Sequence, residues 1–375
     1  MNKFIPVNTP LLTGGNEKKY INECIDSGWI SSEGPFVERF EREFAESVGR
    51  KYGVAVTNGS SALDAAALAI GLTEGDEVIM PTFTIISCAS AIIRAGATPV
   101  FVDCDELTFN IKTEDIEPLI NNRTKAIMVV HIYGLPCDMD KIERIAKKHN
   151  LKIIEDSAEM HGQKYKDRSC GSFGDVSTFS FYPNKHITTG EGGMIVTDSE
   201  EIALKCKKIR NLYFEPPDRF VHHNLGYNFR MTNIQAALGV AQLEKIKEHI
   251  EKKRHIGKMY DEYLVDQKNI QLPVKKSDHA HNIYWVYTII LHTKQGLTAK
   301  EVIKLLGDNG IGSRPFFYPM HLQPILKKLG YENNSQNCLN AEKIYKFGLY
   351  LPSGLGLQDK DIERVSNVLR SIINE

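Results

Sequence analysis

The chain has no C-x-x-C pair, no apolar run long enough to cross a bilayer and no surplus of either charge. Each absence removes a class of protein. The seven cysteines (Cys24, Cys88, Cys104, Cys137, Cys170, Cys206, Cys338) are scattered and odd in number, which signals neither a disulfide framework nor a zinc knuckle and predicts packed, reduced thiols. With 46 basic against 47 acidic residues and a net charge of -1, no global field attracts nucleic acid or a membrane surface; an anionic ligand has to meet a local cluster. The first residues, Met1-Asn-Lys-Phe-Ile-Pro-Val-Asn8, have no apolar core of signal-peptide length, so the expected location is the cytoplasm. Two nucleotide-binding motifs are also missing: neither G-x-G-x-x-G nor G-x-x-x-x-G-K-[ST] occurs. There are no internal repeats, and the charged run Glu248 to Arg254 reads as a solvated helix face.

What is present is an ordinary globular composition, 375 residues of which 42% are apolar, enough for one large or two modest domains. From Tyr52 onward, short β-branched runs alternate with helix-length segments. Gly53 to Thr57, Glu77 to Met80, Pro99 to Asp103, Lys125 to Val130 and Lys152 to Glu155 read as strands, and Ser61 to Ile70 and Met139 to His149 as helices. Strands apolar on both faces predict an α/β fold with a mostly parallel sheet between helices, whose ligands gather at the strands' carboxyl ends. A helical stretch from Thr232 to about Leu264 links this part to a smaller α/β domain with a strand at Tyr284 to Ile290, a helix at Thr298 to Leu306 and a terminal amphipathic helix at Asp361 to Ile373. The expected division is a large domain over 1–245 and a small one over 246–375.

Three polar clusters fall near strand ends. Lys185 stands between a short apolar strand and the glycine-rich Thr189-Gly-Glu-Gly-Gly193, flanked by Phe179, Phe181, Tyr182 and Ile187. Partial burial there favours the neutral amine, able to form a Schiff base; alone, the same lysine reads first as a solvated surface residue. Asn58-Gly-Ser60-Ser61 opens a helix directly after a strand and suits either an anion cradle or a plain N-cap. Asp156, Glu159 and His161 follow a buried strand; Asp156 would cap a helix or hold a protonated heterocyclic nitrogen, and a metal site is disfavoured because no second His or Cys cluster accompanies them. Taken together with Ser180, five residues before the lysine, these pieces match one cofactor, pyridoxal phosphate: a lysine for the Schiff base, an acid for the ring nitrogen and donors for the phosphate.

The same residues resemble the DegT/DnrJ/StrS-type sugar aminotransferases, and within them the GDP-perosamine synthase branch. The resemblance runs through Trp29-Ile-Ser-Ser-Glu-Gly34, Asn58 to Leu63, Gly75 to Pro81, His131-Ile-Tyr-Gly134, Glu155-Asp-Ser-Ala-Glu159, Gly171 to Asp175, Phe179-Ser-Phe181, Lys185 with Thr189 to Gly193, Gly226 to Gln235 and Arg314 to Pro319. It implies an aspartate-aminotransferase-like fold of the fold type I class. It further implies Lys185 as catalytic residue and cofactor-bonded amine, Asp156 on the ring nitrogen, Ser180, Ser60 and Ser61 on the phosphate, Glu159 near the ring face, and Asn228 on the phosphate of a neighbouring subunit, hence a homodimer. Arg230, Arg314 and Tyr318 are substrate candidates by the same resemblance. One departure is Pro81-Thr-Phe-Thr-Ile85, where the family has an aromatic residue to stack on the ring; Ile85 implies an aliphatic contact in its place. A relative of this fold with histidine in the lysine position is a sugar 3-dehydratase, but here Lys185 holds that position and His186 is a neighbour.

The implied reaction takes the amino group of L-glutamate to the keto carbon of a nucleotide-linked keto-deoxy sugar. Resemblance favours GDP and C-4, for a glycan such as the O-antigen; UDP or dTDP sugars and amination at C-3 stay open. A cofactor-dependent sugar dehydratase or deoxygenase is the alternative enzyme class, and Lys185 argues against it. A cofactor-binding regulator without turnover is a third reading, which the complete lysine, acid and phosphate set disfavours.

Overall fold

The aliphatic runs become strands because helices cover both of their faces. In the computed structural model, which describes residues 3–331 and 338–374, β1 (Tyr52–Val56), β2 (Glu77–Pro81), β3 (Thr98–Val102), β4 (Thr124–Val130) and β5 (Lys152–Asp156) are buried along almost their whole length. A hairpin outside the sheet follows, β6 (Lys164–Tyr165) and β7 (Arg168–Ser169), before the chain re-enters as β8 (Val176–Ser180) and β9 (Gly193–Thr197). The seven-stranded order is β1-β9-β8-β5-β4-β2-β3. Only β9 runs against the rest, antiparallel to both β8 and β1. It was not foreseen as a strand, because Gly193 ends a glycine-rich turn. That glycine is required: a Cβ on it would lie 2.4 Å from the Asn58 carbonyl oxygen.

Helices α1 (Glu17–Ser27), α2 (Pro35–Ser47), α3 (Gly59–Ala69), α4 (Ile86–Arg94), α5 (Met139–His149) and α6 (Glu200–Arg210) flank this sheet. The structure gives α5 its expected bounds, whereas α3 starts two residues early because the Asn58 side chain caps it, accepting the Ser61 N–H at 2.8 Å. The helical stretch expected from Thr232 to about Leu264, with room for a bend, is two helices, α7 (Asn233–Leu243) and α8 (Ile246–Leu264), which part at Glu244 and Lys245. A capping box of Thr232 and Gln235 starts α7. Phe40 and Phe44 of α2 pack on Phe179 and Phe181 with ring centroids 4.8–5.2 Å apart. Burying such a ring is worth about 1.5–3 kcal/mol, and these rings anchor the end of β8, from which the Lys185 loop departs.

A second sheet, β10 (Ile270–Gln271), β11 (Tyr287–Leu291), β12 (Arg314–Pro315) and β13 (Gly348–Leu351), is antiparallel in the order β10-β11-β13-β12. Its core joins α8, α9 (Ala299–Asp308) and the helix Asp359–Asn374 through Tyr260, Ile289, Val302, Leu349 and Leu369. Ile5, near the start of the chain, also packs into this second core and bridges Ile311. β11 starts at Tyr287, not at Tyr284, because Tyr284 has a left-handed φ of 48° and turns the chain. Among the described residues no helix is long and apolar enough to cross a membrane.

Candidate active site

A cavity of about 360 Å³ opens where β5 and β8 end, and residues of the second sheet close one side of it. At one end lies the start of α3. Asn58 takes the Ser61 N–H, and the first amides of the helix, at Gly59 and Ser60, have no partner inside the helix, which makes this end a donor-rich, electropositive cradle. Ser60 Oγ is 2.7 Å from Ser87 Oγ. Ser180 faces the cradle so closely that a Cβ on Gly59 would lie 2.8 Å from its Cβ. Ser61 stands outside the lining; its Oγ pairs with Thr57 Oγ1 at 3.1 Å.

Asp156, the last residue of β5, forms the floor. Its Oδ1 accepts the Ala158 N–H at 3.0 Å and its Oδ2 the Cys88 S–H at 3.3 Å. Burial pushes this carboxyl above its usual range. Glu159 Oε2 accepts the Tyr133 N–H at 2.6 Å, and burial raises its carboxyl too, with the charge of Lys185 opposing. Lys185 enters from the loop after β8, which is strapped by Phe181 N–H to Gly192 O and Thr189 N–H to Phe181 O, 2.8 and 3.0 Å. Its Nζ lies 3.9 Å from the centroid of the Trp285 ring. Burial lowers the amine below the ordinary lysine range, while Glu159 and then Asp156 hold it up.

These residues fit pyridoxal phosphate. The cradle suits a phosphate, the Asp156 carboxylate has only two donors on it and suits a cationic ring nitrogen, and the Lys185 amine lies in the same cavity. Two buried lining atoms, Thr178 Oγ1 and Asn184 Oδ1, also have no hydrogen-bond partner, as expected where a polar group is to be received. Ile85, half-exposed, lines the cavity where the resemblance implies an aliphatic contact.

Glu155, beside Asp156, points the other way and is an anchor. It accepts from His131 Nε2 (3.0 Å), Ser157 Oγ (2.8 Å), Ser177 Oγ (2.8 Å) and the N–H groups of Gly171 (2.6 Å) and Phe173 (2.9 Å). With His131 and Cys170 it brings three possible metal-ligand atoms within 4.8 Å of one another, but these donors already occupy the carboxylate. His161 does not join Asp156 and Glu159 in the cavity; its ring packs among Phe44, Phe179 and Phe181.

The structure brings Ser60, Ile85, Asp156, Glu159, Ser180 and Lys185 together in one cavity. Asn228 lies outside it, exposed, in a bridge with Asn211. Arg230 bonds Asn211 Oδ1 at 2.9 Å and lines a separate cavity of about 560 Å³ with Ser31, Ser32 and Glu33. Arg314 is exposed on β12, and Tyr318 packs edge-on against Tyr345, centroids 4.9 Å apart. Sequence reasoning did not single out Cys88, Thr178, Asn184 or Trp285. The sequence places Trp285 in the strand read at Tyr284 to Ile290, and no local pattern announces that its ring reaches Lys185.

Comparison with known proteins agrees with this geometry. The family model described as the DegT/DnrJ/EryC1/StrS aminotransferase family matches residues 12–370. The GDP-perosamine synthase of Escherichia coli O157:H7 is 45% identical over 363 residues, covering 96% of each chain. That of Caulobacter vibrioides is 43% identical over 369 residues, covering 98% of each. Among solved structures, the putative sugar aminotransferase Spr1654 of Streptococcus pneumoniae, in its PLP form, superposes with a TM-score of 0.91 at 25% identity, covering 99% of each chain.

Proposed function

Because the chain belongs to the DegT/DnrJ/EryC1/StrS aminotransferase family, we propose that it uses pyridoxal phosphate to move the amino group of L-glutamate to C-4 of a GDP-linked 4-keto-6-deoxy sugar. The observation that carries this reading is the meeting of Lys185, Asp156 and the α3 cradle in one cavity, in a chain 45% identical to a GDP-perosamine synthase.

The cofactor supplies a carbonyl that exchanges amines and a protonated ring that takes up negative charge. The chain supplies the rest. The amides of Gly59 and Ser60 and the hydroxyls of Ser60 and Ser180 hold the phosphate, with Thr178 Oγ1 as a further donor. Asp156 keeps a proton on the ring nitrogen; its burial, unfavourable to a lone carboxylate, is offset by that cation. Lys185 Nζ, which burial leaves more often unprotonated, would take the proton from the substrate carbon that carries the amino group and deliver it within the same cavity to the carbon on the far side of that nitrogen. Glu159, beside it, keeps the pair's total charge balanced as that proton moves. Trp285, Phe317 and Tyr350 keep the wall apolar and exclude water.

The working unit is a homodimer. Asn228 would meet the phosphate in the partner's cavity, and a set of exposed apolar residues supports an interface: Trp29, Ile30, Phe220, Val221, Leu225 and Tyr227. Seven unpaired cysteines favour a reducing compartment, the cytoplasm, and the amino sugar would serve a surface glycan such as the O-antigen. The test is a panel of GDP-, UDP- and dTDP-linked keto-deoxy sugars with glutamate, the product identified by NMR. The expected result is a 4-amino sugar from the GDP donor; ammonia release without amine in the sugar would instead mean a dehydratase.

A further inference from the structure

Trp285 leads into β11 of the second sheet, yet its indole reaches the main-sheet cavity and faces Lys185 Nζ. Its Nε1 donates to the carbonyl of Asn184, the residue before Lys185, at 2.8 Å. The backbone that delivers it is unfavourable, since Tyr284 has a Cβ and a φ of 48°. Its surroundings impose this. Asn282 Oδ1 accepts the Tyr284 N–H at 2.7 Å. Gly134, in the turn after β4, lets the corner pass so near that a Cβ there would lie 2.7 Å from Tyr284 N and 3.1 Å from Trp285 N.

On the opposite side α8 presents Gly257 and Lys253. A Cβ on Gly257 would meet the Tyr284 ring at 2.6 Å. Lys253 is 1% exposed, and its Nζ donates to two neutral acceptors, the carbonyls of Trp285 at 2.8 Å and Ser353 at 2.6 Å. A lysine so buried costs stability compared with a packed apolar side chain, which makes its placement informative. Burial lowers its ammonium to about 7, Lys185 adding to the effect. Charged or neutral, it keeps at least two N–H donors for the two carbonyls.

We propose that Lys253 is a positioning residue that locks the Tyr284–Trp285 corner, so that the indole is the platform on which the Lys185 amine rests whenever it has no covalent partner. The amine lies against the ring face, and the charges of Glu159 and then Asp156 favour its protonated form. Without the platform the flexible lysine side chain leaves the line of proton transfer. This rests on the reading of Lys185 as the catalytic amine.

The chain has two tryptophans, Trp285 at 3% and Trp29 at 52% exposure, so in a Trp29→Phe background Trp285 is the sole emitter. In the full-length, cofactor-free protein, Lys253→Met is expected to shift Trp285 emission to the red and raise its quenching by acrylamide. In the loaded enzyme, Lys253→Met and Trp285→Phe are each expected to lower kcat about tenfold while KM for the keto sugar changes less than about twofold, as when a reacting group is slightly misplaced. The double variant is expected to be no slower than the slower single, because both changes act on one element. Unchanged emission in Lys253→Met, or losses that multiply in the double variant, overturn the proposal. Should Lys253→Met fail to fold, Trp285→Phe decides, and an unchanged kcat there overturns it. A Lys185→Ala protein that still aminates the sugar would refute the parent reading separately, since the emission test does not depend on it.

Discussion

The floor of the cavity and its wall are built in different ways. The floor, Asp156, Glu159, Lys185 and the start of α3, comes from strand ends of one sheet and the turns that follow them; Asp156 with Ala158 and Asn58 with Ser61 bond close by in sequence, while Cys88 on Asp156 and Tyr133 on Glu159 come from neighbouring strand–helix units. The wall, Trp285, Phe317 and Tyr350, is aromatic and arrives from a second sheet far along the chain. Residues of one sheet thus place the polar groups of the cavity, and packing against distant aromatic residues sets what the Lys185 amine lies against.

If that division is right, the floor is the more sensitive part. Lys185→Ala removes the amine proposed to carry the proton and is expected to lower amination by at least about 10³-fold in steady-state assays. A loss no greater than that of Trp285→Phe would erase the distinction between floor and wall. Asp156→Asn keeps shape and removes charge, so turnover is expected to fall about 10²-fold, with weaker cofactor retention in equilibrium dialysis.

The next effect is on stability. Glu155→Gln breaks a fully buried pair with His131 and is expected to cost about 3–5 kcal/mol in urea unfolding. Burial alone would raise the Glu155 carboxyl, but hydrogen bonds from His131, Gly171 and Ser177 outweigh it and hold it below the usual glutamate range. The stability it adds is therefore present above the unfolded-state pKa, about 4.3, and lost as pH falls through the lower folded value. The wild-type protein should lose this acid-sensitive increment and the variant should not.

The smallest expected change is a displaced pH profile. Glu159 is the stronger of the two carboxylates that hold the Lys185 amine up. In Glu159→Gln the amine gives up its proton at lower pH, and the acidic limb of kcat/KM, where the protonated amine is inactive, moves in the same direction. A limb that moves to higher pH would show that the two groups do not share the cavity's charge.

Much of the floor was legible because its signals are local. An aliphatic run ending in Asp156 is a buried strand that delivers a carboxylate to a sheet edge, and Asn58-Gly-Ser-Ser after another strand is a capped helix start. β9 is hidden by the glycine-rich turn that Gly193 closes, although its Met194-Ile-Val196 run is apolar and buried like the other strands. The contact of Cys88 with Asp156 escaped for a different reason: the two residues lie on separate βα units and meet only when β2 and β5 take their places in the sheet.

By itself the sequence determined the α/β alternation and the cofactor class, since periodicity, caps and strand-end polar groups are properties of neighbouring residues. Only the tertiary structure decided that Trp285 faces Lys185, that Lys253 is buried behind it and that Glu155 turns away from Asp156. Those facts depend on which distant surfaces pack together, and burial and close packing leave no fixed spacing along a chain by which they could be read.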